Sequence, residues 1–129
     1  MLTIHTLNDQ ICGHRDNGGH AAEVPPNARL LFCNGQVGAR PDGTVPEDTG
    51  QQEVIFERIK VILAAADMTF QDIAKLTVYV TDHAIFDDFY RLRGRYLGDH
   101  NPPVVLLTVG PFPRPGVEVE IEAVAAKAA

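Results

Sequence analysis

Apolar and polar positions alternate strictly along residues 116–125, Gly-Val-Glu-Val-Glu-Ile-Glu-Ala-Val-Ala. Val117, Val119, Ile121, Ala123 and Ala125 fall on one side, and Glu118, Glu120, Glu122 and Val124 on the other. Period two over this length predicts a β-strand with one face on a core. Same-face neighbours on a strand stand roughly 7 Å apart, so three carboxylates form a row. Such a row is either a solvated face or the wall of a pocket where a glutamate serves as acid, base or acceptor.

The rest of the chain supplies partners for that strand. Residues 2–7 alternate loosely and read as a first strand. Residues 12–23 are glycine-rich and polar and read as a loop or an irregular hairpin. Residues 28–37 read as a strand, with Leu30, Leu31, Phe32 and Cys33 too apolar for a wet face. Asn34-Gly35-Gln36 interrupts it, and a glycine there marks either a bulge with close backbone approach or a simple bend. Thr49 is a suitable N-cap, and Gln52 completes a capping-box pattern. Ile55, Ile59, Ile62 and Ala66 then follow helical spacing, which predicts a helix over residues 50–66. Residues 73–81 alternate Leu76, Val78 and Val80 with Thr77 and Tyr79, a β-branched and aromatic strand. Asp82 can cap a second helix carrying Ile85, Phe89, Leu92 and Tyr96 on one stripe, with Gly98 placed to end it. After Asn101-Pro102-Pro103, residues 104–109 are almost continuously apolar, as in a strand covered on both faces. Residues 126–129 read as a short tail.

The predicted order is β, β, α, β, α, β, β, an α+β arrangement with a mixed sheet and two helices on one face. Two helices cover only one side of such a sheet, and each large aliphatic side chain left in water forfeits roughly 1.5–3 kcal/mol. The strand at 104–109 therefore needs a second layer. Another copy of the chain is the expected source, which makes the protein an obligate homo-oligomer with clefts between subunits.

Composition narrows the chemistry. The 129 residues fit a single domain, 1–129, and 45% hydrophobic residues suffice for a core. The formal net charge of −6, with no basic cluster, argues against a nucleic-acid partner. No run of about 18 apolar residues predicts a membrane span, and the first residues lack the pattern of a secretory signal. Cys12 and Cys33 form no Cys-x-x-Cys pair, so two free thiols and a cytoplasmic location are expected. His14 and His20 have no third ligand at a useful spacing, so no metal or other cofactor is expected.

Taken together and in order, several stretches resemble the RidA (YjgF) family. They are Leu31-Phe32-Cys33-Asn34-Gly35-Gln36-Val37, the helix from Gln51 to Ala66, Lys75-Leu76-Thr77-Val78-Tyr79-Val80-Thr81-Asp82, and Val119-Glu120-Ile121-Glu122-Ala123-Val124-Ala125. The match runs from about Ala28 to Ala125. The resemblance implies a chorismate-mutase-like α+β fold and a homotrimer with a central barrel of sheets and three intersubunit clefts. It also implies cofactor-free hydrolysis of reactive enamines and imines to keto acids and ammonia. In that chemistry an arginine pairs with the substrate carboxylate and a glutamate handles the attacking water.

Carried over residue by residue, the resemblance gives a divided result. The family glutamate falls on Glu120, the catalytic candidate. The arginine position, within Pro103-Val104-Val105-Leu106, falls on Val105. The pocket serine falls on Asn34, the second-helix asparagine on Tyr90, and the small thiol on Leu107. The tyrosine of the N-terminal motif is absent, and Gly19-His20-Ala21-Ala22-Glu23 stands near that place. Gly35 is kept, and its N–H can donate to a ligand. Asn34, Gly35, Tyr90, Val105 and Leu107 are thus the candidate substrate-binding residues. Valine cannot replace a bidentate arginine–carboxylate pair. Loss of such a partner costs about 2–5 kcal/mol, roughly thirtyfold to thousandfold in affinity. Arg114, His14 or His20 from a neighbour would be the replacement cations.

Three functions follow in descending order of support. One is an enamine or imine deaminase with altered specificity. The next is a non-catalytic trimer that holds a small metabolite in its intersubunit clefts. The last is RNA cleavage, a label some relatives carry, which the acidic charge disfavours.

Overall fold

A computed structural model describes residues 1–12, 18–47 and 50–129. Its main sheet is centred on β4 (Ile73–Val80) and β6 (Val119–Ala128), flanked by β3 (Ala28–Val37) and β5 (Val104–Thr108) in the order β3-β6-β4-β5. β6 runs antiparallel to both β3 and β4, and β5 runs parallel to β4, so the sheet is mixed. A parallel neighbour requires a crossover, and α2 (Phe86–Leu97) provides it between β4 and β5. α1 (Gly50–Ala65) connects β3 to β4.

Both helices lie on one face. Ile55, Phe56, Ile59 and Leu63 of α1 and Phe89, Leu92 and Leu97 of α2 are buried in one cluster with Leu76, Val78, Val80, Val119, Ile121 and Ala123. The α1 stripe is rotated from the expected one. Phe56 and Leu63 are fully buried, whereas Ile62 and Ala66 are only half-buried. Phe56 draws the helix round because its ring stacks on Tyr96, with centroids 4.9 Å apart at 9°. The helix stops before Asp67, which takes a φ of 56°, a conformation that Asp tolerates better than most side chains. The N-cap expected at Thr49 lies outside the described residues. Gln52 is buried, and its Nε2 donates to the Ile85 carbonyl at 2.8 Å.

Two boundaries differ from expectation. Ala21–Glu23, inside the stretch read as a loop or irregular hairpin, is a strand (β2) paired antiparallel with β1 (Thr3–His5). Three residues are too few to show a period, so the partner specifies this strand. β6 continues to Ala128 rather than ending at Ala125, because Ala28, Arg29 and Leu30 of β3 pair with Ala128, Lys127 and Ala126.

The opposite face of the sheet has no helices. Phe32 is 73% exposed, Leu30 53%, Leu107 45% and Val105 36%. Among the described residues, no helix is long and apolar enough to cross a membrane.

Candidate functional site

The uncovered face is ordered as rows running across the strands. One row sets Leu107, Tyr79 and Glu120 side by side, and the next sets Val105, Thr77 and Glu122. A third sets Lys75, Val124 and Phe32. Adjacent strands lie about 4.8 Å apart, so members of a row touch while successive rows are one side-chain repeat away. Period-two alternation on β4, β5 and β6 delivers all these side chains to one face.

β3 breaks the pattern where Gly35 sits. Cys33 pairs with Ala123 and Gln36 with Ile121, so β3 carries one residue more than β6 between these pairs. That is a β-bulge. It brings the backbone of Gly35 against the Glu120 side chain. A Cβ at position 35 would stand 2.4 Å from Oε2 and 2.7 Å from Cδ of Glu120. Only glycine leaves room for the carboxylate in this position. The bulge is latched to the helical layer. Gln36 Nε2 donates to the Asn34 carbonyl at 3.0 Å, and Gln36 Oε1 accepts from Arg58 Nε at 3.0 Å. Arg58 Nη1 donates in turn to the Ala39 carbonyl at 2.8 Å.

Glu122 has its own donor. Tyr79 Oη donates to Glu122 Oε1 at 2.7 Å. This bond to a carboxylate, then burial, then the charges of Glu122 and Glu120, push the Tyr79 phenol above its ordinary value. The two carboxylates and the Tyr79 ring form one wall of a cleft of about 310 Å³, and residues 109–113 form the other. On the far side of Glu122 a hollow of about 440 Å³ is lined by Phe32, Asn34, Lys75, Thr77 and Val124. A separate cavity of about 380 Å³ lies at the end of α2, near Asp82, Asp87 and Asp88. Two of its acids have local duties: Asp82 accepts from the Ala84 N–H at 2.9 Å, and Asp88 accepts from Arg91 at 3.0 Å.

Of the residues singled out from sequence, Glu120, Asn34, Gly35, Val105 and Leu107 share the uncovered face. The Gly35 N–H expected to meet a ligand donates instead to Asn34 Oδ1 at 3.0 Å, so a ligand must displace that amide to reach it. Tyr90 is not brought to this site within one chain. It sits half-buried in the helical layer with its ring edge-on to Phe89, centroids 6.0 Å apart. The helical period that buries Phe89 and Leu92 carries Tyr90 to the same side of the sheet. Arg114 does not reach Glu120 either, because its Nη2 donates to the Gly43 carbonyl. His20 is held in the N-terminal hairpin, where Nδ1 accepts from the Leu7 N–H at 3.0 Å. His14 lies outside the described residues. Sequence reading passed over Lys75, the Tyr79–Glu122 bond and Phe112. The parity of Lys75 with Thr77 and Tyr79 was the signal that could have found the first two.

Comparison with known proteins agrees with this fold. Residues 21–127 match the family model described as Endoribonuclease L-PSP. A RutC family protein of Aquifex aeolicus is 35% identical over 113 residues, covering 85% of this chain and 90% of that protein. TdcF of Escherichia coli, which carries the provisional name of reactive intermediate deaminase, is 30% identical over 105 residues, covering 78% and 81%. Among solved structures, YyfB of Yersinia pestis, a Rid family protein of unknown function, aligns with a TM-score of 0.85 over 98% of both chains at 22% identity. RidA from an Antarctic Psychrobacter aligns with a TM-score of 0.73 at 26% identity, covering 87% and 95%. The sheet order and its two one-sided helices are thus the fold of these proteins, and the chain belongs to the RidA (YjgF) family.

Proposed function

We propose that this protein is an enamine or imine deaminase-type hydrolase of altered specificity, working as a homotrimer. The observation that carries the proposal is the Glu120 carboxylate, seated over Gly35 at the mouth of a cleft. A water held by Glu120 adds to the carbon of a C=N bond. The C–O bond forms, the π pair moves to nitrogen, and Glu120 takes the water's proton. The nitrogen takes that proton back from Glu120, and the carbinolamine collapses to a carbonyl and ammonia as its hydroxyl proton passes to the departing nitrogen and the C–N bond breaks. An enamine enters the same path after protonation at carbon. Exposed Phe32, Leu30 and Leu107 on the uncovered face support assembly through that face, and a neighbour would close the cleft. The buried free thiol of Cys33 accords with a cytoplasmic setting.

The test is ammonia release from enamines and imines generated in situ, 2-aminoacrylate included. Acceleration by the wild type and its loss in Glu120→Gln are expected. Equal rates for the two proteins would remove Glu120 from the chemistry. A second reading, ligand binding without turnover, is favoured by one feature: Val105 stands where the family arginine would anchor a carboxylate. Saturable binding with no acceleration of any imine would select it.

A further inference from the structure

The cleft beside Glu120 has a charge imbalance. Its lining includes two carboxylates, Glu120 and Glu122, and no cation among the described residues. The groups facing Glu120 are Tyr79 on β4, Glu122 on its own strand and the Asn34-Gly35 bulge on β3. Tyr79 is a neutral donor already committed to Glu122. Arg114 follows the cleft's rim in sequence but is turned to the Gly43 carbonyl. Lys75 lines the adjoining hollow instead. It is four residues before Tyr79 on β4, roughly 13 Å away along the strand. The remaining wall is Val109, Gly110, Pro111, Phe112 and Pro113, apolar and stiffened by two prolines.

On this chain's side of the cleft, a substrate carboxylate would meet two like charges and no donor pair. A cation would meet two acceptors and two rings, Tyr79 and Phe112, whose faces attract positive charge. Resting on the hydrolase assignment above, we infer that the substrate is the iminium of a carboxylate-free amine bearing an apolar or aromatic substituent.

The reaction balances without a further reagent. Water's oxygen bonds to the iminium carbon, the C=N π pair goes to nitrogen, and a water proton goes to Glu120. The carbinolamine nitrogen then takes up that proton, the C–N bond breaks, and an aldehyde or ketone leaves with ammonium. The iminium must be supplied by a two-electron oxidation of a primary amine, the work of an amine oxidase or dehydrogenase.

The test uses the full-length protein in its assembled state. Benzylammonium, benzyl alcohol and benzoate are titrated by calorimetry. Benzylammonium is expected to bind tightest and benzoate weakest. Glu120→Gln and Glu122→Gln should each weaken benzylammonium by roughly fivefold, with the preference shrinking at high salt. In parallel, ammonia release is followed from the imine that an amine oxidase makes from benzylamine and from a 2-imino acid made by an amino acid oxidase. Faster release from the benzylamine-derived imine supports the inference. Preference for benzoate, or faster release from the 2-imino acid, overturns it while leaving the hydrolase assignment in place. Benzylammonium binding without acceleration of either imine overturns the hydrolase assignment and keeps the charge preference of the cleft. Failure to bind benzylammonium and to accelerate its imine ends the inference.

Discussion

The Glu120 carboxylate rests on the Cα of Gly35, close enough that a methyl group there would lie 2.4 Å from Oε2. A bulge on one strand thereby fixes the acid of another. Gly35→Ala must push the carboxylate out of this position. The clashing atoms are the far end of a flexible side chain, so stability should change by no more than about 1 kcal/mol. Activity should fall about a hundredfold, as expected for a catalytic group displaced by an ångström. Steady-state kinetics with a melting curve check this, and partial rescue by Glu120→Asp in the same chain would confirm the steric cause.

Arg58 ties that bulge to α1 through Gln36 and the Ala39 carbonyl. Gln36 is buried, so Arg58→Met strands an acceptor away from water. Urea unfolding should show a loss of about 1–3 kcal/mol. An unchanged midpoint would mean that water satisfies Gln36 instead.

Tyr96 Oη donates to Glu57 Oε2 at 2.7 Å. Burial, then this bond and the Glu57 charge, push its phenol up to about 12. The folded chain therefore keeps a proton that the unfolded chain releases near pH 10. The contribution is complete below about pH 10 and is lost as pH rises from 10 to 12. Urea midpoints of wild type and Tyr96→Phe, compared at pH 8 and across that window, should differ at pH 8 and converge by pH 12. A constant difference would place the phenol's value near that of a free tyrosine.

Phe32 and Leu107 stand exposed on the uncovered face and contribute little to the stability of a single chain. Phe32→Asp with Leu107→Asp should leave each chain folded, by circular dichroism, and convert a trimer to monomers by light scattering. A wild-type monomer would show that the face needs no partner.

Val105 lies beside Thr77, one row from the Tyr79–Glu120 pair. Val105→Arg places a guanidinium at the position to which the family resemblance assigns a carboxylate-holding arginine. Affinity for benzoate should rise, by up to about a thousandfold if the pair is fully desolvated. No gain would indicate that position 105 does not face the ligand.

The sheet strands were legible because burial on one face writes period two into the chain. The alternation from Val117 to Ala125 placed Glu120 and Glu122 opposite the core. The continuous apolar run at 104–109 announced a face its own helices would not cover. Ala21–Glu23 was illegible because it exists only against Thr3–His5. Tyr90 rested on an aligned helix position alone, and within one chain it stays in the helical layer beside Phe89.

The order of residues alone determined which side chains point away from the core and that a glutamate stands among them with no arginine at position 105. Only the tertiary structure decided how the carboxylate is held. The bulge at Asn34-Gly35, set between the Cys33–Ala123 and Gln36–Ile121 pairs, the Gln36–Arg58 latch and the Tyr79–Glu122 bond join residues far apart in the chain. Such contacts leave no periodic trace, because each depends on one strand's register against another.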